Sequence, residues 1–202
     1  MALIKGKPTE FQDPPLARLL FATPNAGLLW FPLRVFLGYQ WIDAAEHKIT
    51  DPKWTQTGEA LQAFWANAVK IPAAPARPPI TYDWYRGFIQ LLLDTHSYVW
   101  FAKLVAYGEL LIGIALILGL FTGISAFLGG FMNWNFMMAG SASSNPLLFA
   151  IATWLVLAWK VAGYYGLDRW ALPLLGTPWQ PGALVKRTVP SRPATSARPA
   201  GA

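Results

Sequence analysis

The chain has 202 residues, 54% hydrophobic and 15% aromatic but only 13% charged, with a mean hydropathy of +0.34. Soluble domains carry about a quarter charged residues, so this composition points to a single all-α integral membrane domain. The net charge of +6 does not argue for nucleic acid, since much of it lies in Lys186, Arg187, Arg192 and Arg198 of an acid-free tail. With no cysteine, the chain supplies no thiol relay, thiolate-held iron–sulfur cluster or covalent c-type haem.

In chain order, residues 1–24 read as a polar, cytoplasmic N-terminal segment. Within it, 16–21 predicts a short interfacial helix with Arg18 at the headgroups. The first membrane span is predicted at 25–45. It is longer than a signal-peptide core and is expected to be retained as an anchor. Pro32 predicts a kink there. Residues 46–97 form an extracytoplasmic loop holding two amphipathic helices, 57–69 and 82–96, separated by the stiff IPAAPARPP at 71–79.

Spans two and three, 97–118 and 121–139, are joined by the very short GLFTG at 119–123, which predicts an antiparallel membrane hairpin. GSASSN at 140–145 carries N-cap chemistry before Pro146, which opens a fourth span at 146–165. The membrane domain is thus 25–170, a four-transmembrane-helix bundle, and 171–202 is a Pro/Arg-rich tail. Eight basic residues in the two tails against five in the 46–97 loop place both termini in the cytoplasm. Gly119/Gly123 and Ala126/Gly130 have the small-xxx-small spacing of close helix contacts.

Depth identifies the candidate chemistry. At ~1.5 Å per residue, Arg34 lies ~14 Å in from residue 25 and Glu109 ~15 Å in from residue 119. An unpaired charge at that depth is costly, so the two are expected to pair. The pair has two readings: a static tie fixing helix register, or an anion, proton or quinone site using one partner. Asn133 and Asn135 are predicted deeper in span three, on different helix faces. Each is read as an interhelical hydrogen-bonding group or a polar ligand contact. At the outer mouth, His47 and Lys48 end span one and His96 and Lys103 begin span two. They form either an anion- and proton-handling cluster or an ordinary charged rim within an aromatic belt. No metal-ligand spacing, haem site, phosphate loop or dinucleotide motif is present.

The residues RVFLG at 34–38, Glu109, GLFT at 119–122 and NWNFMMAGSASSNP at 133–146 resemble the DoxX/DoxD family of four-span prokaryotic membrane proteins. The last stretch is similar to the large, membrane subunit of thiosulfate:quinone oxidoreductase. The resemblance covers about 25–170. It implies a subunit of the cytoplasmic membrane that passes electrons from thiosulfate to quinone, forming tetrathionate, beside a smaller DoxA-like chain. Carried onto this sequence, thiosulfate would meet His47, Lys48, His96 and Lys103. Quinone would enter against Trp41, Tyr107 and Trp134, with Arg34 and Glu109 as the catalytic pair. The competing expectation is a non-catalytic subunit packed on a larger respiratory or photosynthetic complex, for which 11 Trp and 12 Phe offer contact surface.

Overall fold

The computed structural model describes residues 13–177 and 180–184. The start of the predicted N-terminal segment and the basic tail beyond 184, with Lys186, Arg187, Arg192 and Arg198, lie outside the described residues. Helix α1 (Pro15–Ala22) leads through a 3-10 turn (Pro24–Ala26) into α2 (Gly27–Ile49). Next come α3 (Pro52–Thr55), α4 (Glu59–Ala68), α5 (Asp83–Asp94) and α6 (Tyr98–Leu118). Then follow α7 (Thr122–Met138), α8 (Asn145–Leu157), a run of turns over 158–167, and α9 (Asp168–Leu175). A two-residue antiparallel pairing, Gly176–Thr177 with Gln180–Pro181, closes the described chain.

Among the described residues, α6 alone is long and apolar enough to cross a membrane. Helix α1 and the 24–49 segment reach that length and apolarity together, bent by 66° between them. Helices α7 and α8 have 17 and 13 residues, which is ~26 and ~20 Å. The fourth predicted span is therefore corrected: its helix ends at Leu157 and the backbone continues as turns. The kink expected at Pro32 is corrected too. That residue sits in the second turn of α2 and the helix continues through it; the bend comes earlier, between α1 and the 3-10 turn.

Helices α2 and α6 run antiparallel at close range because glycines face each other. A Cβ on Gly38 would lie 2.9 Å from the Gly113 carbonyl oxygen, and one on Gly113 2.9 Å from that of Gly38. Helix α7 meets α8 in the same manner, where a Cβ on Gly130 would touch Ala152 at 3.3 Å. Such contacts bring two backbones into dispersion range along their length. Trp30, Leu37, Trp41, Leu116, Ala126 and Leu155 are buried between these helices. The opposite faces stay apolar and exposed, for example Leu28, Phe31, Leu111, Phe127 and Leu147.

The two ends of the bundle are built differently. At the cap end, α4 and α5 fold over α6 and α7 around Leu61, Trp65, Ile80, Tyr85 and Ile89, so the predicted loop helices cap the bundle. At the turn end, Gly119 takes φ +67°, and the Leu120 N–H donates to the Ala115 carbonyl at 2.9 Å, which stops α6. Asp168, buried at the start of α9, accepts from the N–H groups of Phe121 (2.6 Å) and Thr122 (2.9 Å). Those two amides open α7, where a carboxylate also meets the positive end of the helix dipole.

Candidate functional site

The ion pair at the heart of the bundle joins Lys48 to Glu109, with Nζ 2.7 Å from Oε2. Lys48 also donates to the Ala44 carbonyl at 3.2 Å and lies over the Trp54 ring at 5.3 Å. The Glu109 side chain is 1% exposed and that of Lys48 18%, so the lysine links an enclosed carboxylate to the surface.

The expected Arg34–Glu109 pair is not formed. Arg34 is buried, but its guanidinium donates to the carbonyls of Leu116 (2.5 Å), Ile117 (3.0 Å) and Tyr165 (3.2 Å). The reason is geometric. The contacts of Gly38 with Gly113 and Ile117, and of Gly113 with Ile42, set the register of α2 on α6, which puts Arg34 beyond Ile117 at the turn end and Glu109 beyond Ile42 toward the cap end. Every Cα–Cβ bond tilts toward its own helix N-terminus. On antiparallel helices Arg34 therefore leans to the turn end, while Glu109 leans to the cap end. There Lys48, leaning back down α2, meets it. Arg34 instead donates to carbonyls at the end of α6, where a cation is favoured.

Around Glu109 several buried polar atoms have no hydrogen-bond partner: Glu109 Oε1, both amide atoms of Asn133, and Trp41 Nε1. They share one region of the bundle. A Cβ on Gly129 would lie 2.8 Å from Trp41 Nε1 and 3.3 Å from Ile112 Cγ2, so Trp41, Ile112 and Gly129 meet. One turn toward the cap end, the same helix faces carry Ala45, Glu109 and Asn133, all fully buried. Buried polar groups are ordinarily paired. This set holds unpaired donors (Trp41, Asn133) and acceptors (Glu109, Asn133) on adjoining turns of α2, α6 and α7.

Asn135 faces elsewhere, as expected from its spacing. It receives the Tyr85 hydroxyl at 3.1 Å on both its Oδ1 and its backbone oxygen, and its Nδ2 donates to the Phe131 carbonyl at 2.8 Å. Burial pushes the Tyr85 phenol up to about 12. A cleft of about 580 Å³ lies here, under α4 and α5 and against α6 and α7. Trp134, Tyr85, Asn135 and Gly108 are among its lining residues.

Of the predicted anion set, Lys48 is drawn away to Glu109. His47, His96 and Lys103 are exposed, and His96 Nδ1 is within 2.9 Å of the Tyr98 hydroxyl. The predicted quinone trio is split: Trp134 lines the cleft, Trp41 is buried inside the bundle, and Tyr107 is exposed on α6. Tyr107 is one residue past the buried Ala106, so the ~100° turn per residue carries it to another face.

Sequence reasoning missed Asp168, whose carboxylate joins α9 to the α6–α7 turn. The available signal was an acid closing the otherwise uncharged stretch VAGYYGL at 161–167. Among the described residues no three His, Asp or Glu side chains gather as a metal-binding group. No protein-family model, curated protein or solved structure matches this chain.

Proposed function

We propose that the chain is a four-helix integral membrane subunit of a redox complex that passes electrons from thiosulfate to quinone, with Glu109 handling the proton. Support for the membrane setting comes from the apolar, exposed outer faces of α2, α6, α7 and α8, which suit a hydrocarbon surround. Support for the redox assignment is the DoxX/DoxD-like set at 34–38, 109, 119–122 and 133–146.

The observation that carries the proposal is the enclosed Glu109 carboxylate, held by Lys48 on one oxygen and unpartnered on the other. Two thiosulfate ions each give one electron and join as tetrathionate. Quinone takes those two electrons and two protons to become quinol. The protons need an acceptor–donor group inside an apolar protein. Glu109 supplies one, and Lys48 links it toward the surface. Ionisable groups at such depth mark proton relays and ligand sites. With Lys48 held on Glu109 rather than free for an anion, thiosulfate oxidation is assigned to a separate partner chain.

The test is E109Q in the complex purified from native membranes. Glutamine keeps the shape and an oxygen for Lys48 but does not exchange a proton. Thiosulfate-dependent quinone reduction should fall by about 100-fold or more with the partner chains still bound. Full turnover with full assembly removes the proposed role of Glu109. Loss of the partner chains along with turnover favours the accessory-subunit alternative, with the ion pair as structure.

A further inference from the structure

We infer that the cleft beneath α5, against α6 and α7, binds a neutral, flat-ringed amphiphile of the quinone class, its ring against the wall that Tyr85 and Trp134 form and its tail along Gly108. The choice of quinone rests on the function proposed above. The cleft's own chemistry fixes the rest.

Its volume of about 580 Å³ lies inside the ~300–1,000 Å³ range of small-molecule sites. No lysine, arginine, histidine, aspartate or glutamate lines it. A phospholipid seated there would leave its phosphate without a cation, so the occupant's head is uncharged. The walls are aromatic. Tyr85 and Trp134 meet edge to face, with centroids 6.0 Å apart and planes at 71°, and Trp134 stacks on Phe131 at 6.0 Å and 20°. Flat rings gain from offset and edge contacts with such surfaces.

The Tyr85 hydroxyl is a donor on this wall. The single Tyr85 hydroxyl proton is shared between two Asn135 oxygens at 3.1 Å each, longer than an ordinary O–H···O bond. A quinone carbonyl only accepts, and it can take that proton at little loss. Gly108 leaves room for a tail, since a Cβ there would meet nothing within 4 Å. Its neighbour Glu109 is buried in the bundle, ~100° further round α6. Ile112, one turn on from both, lines the cleft and packs near Gly129 beside Trp41.

The test is saturable binding of decyl-benzoquinone to the full chain in detergent, compared among wild type, G108W, Y85F and G87W. Tryptophan at 108 fills the cleft, and Y85F removes the donor while keeping the ring. G87W adds equal bulk on an exposed face of α5 that also has open space around it. G108W should abolish saturable binding, and Y85F should weaken it about tenfold, as loss of one hydrogen bond does. G87W should bind as wild type. Should G108W fail to fold, Y85F alone decides, because it changes no packing. Wild-type affinity in both cleft variants, no saturable binding by wild type, or equal displacement by dioleoyl phosphatidylglycerol each overturns the inference. Binding with these variant effects but no thiosulfate-linked turnover leaves the cleft assignment standing and sinks the thiosulfate function. Turnover without cleft-dependent binding does the reverse.

Discussion

Replacing Lys48 with methionine tests the centre of the bundle most sharply. Methionine keeps the length and the apolar stem but leaves the Glu109 carboxylate, 1% exposed, without its cation. At 2.7 Å, with an effective dielectric of ~20, the attraction lost is on the order of 6 kcal/mol. Desolvation of both groups offsets part of that, and removing one partner of a buried pair costs ~3–5 kcal/mol. Lys48 is 18% exposed, so water reaches its end of the pair, and the lower figure, ~3 kcal/mol, applies. The double variant K48M/E109Q carries no buried charge and should lie within ~1.5 kcal/mol of wild type. The assay is unfolding in mixed detergent micelles followed by tryptophan fluorescence, read as a double-mutant cycle. A K48M chain as stable as wild type, or a double variant no better than K48M alone, would refute the pairing as a structural and functional centre.

Two further outcomes follow from the same geometry. D168A should cost ~1–3 kcal/mol, because two amides opening α7 lose their acceptor; unchanged unfolding of D168A would show that water caps them instead. Tyr85 should ionise only near pH 12. The unfolded chain, with an ordinary phenol near ~10, releases that proton first. Tyr85 therefore leaves stability unaffected below pH ~10 and lowers it as pH rises from there to about 12. Y85F should remove one late step from the ultraviolet tyrosine titration; an unaltered curve would contradict the burial effect.

The positions of α2, α4, α5, α6 and α7 were legible because apolar runs and their breakers act locally, whereas the end of α8 at Leu157 and the start of α9 at Asp168 were not. The apolar stretch before Gly119 defined α6, GLFTG defined the turn, and the amphipathic 57–69 and 82–96 became α4 and α5. Pairing was not legible, because it depends on register. Counting depth from assumed helix ends placed Arg34 and Glu109 together. The contact of Gly38 with Gly113 separates them, and the opposite lean of side chains on antiparallel helices gives each a different partner. Lys48 looked like a rim residue by position, yet its long stem folds back along α2 to Ala44 and Glu109. Trp41, Tyr107 and Trp134 share apolar chemistry but sit on different faces, which residue type alone does not reveal. Asp168 acts across the chain on Phe121 and Thr122, a contact that only tertiary packing creates.

The most direct measurement is quinol formation by the complex drawn from native membranes through this chain, with thiosulfate as the sole electron donor. One quinol and one tetrathionate per two thiosulfates are expected, with a small partner chain present. An intact assembly that forms no quinol from thiosulfate, with this chain at fixed stoichiometry among cytochrome or pigment-binding subunits, would contradict the proposed function.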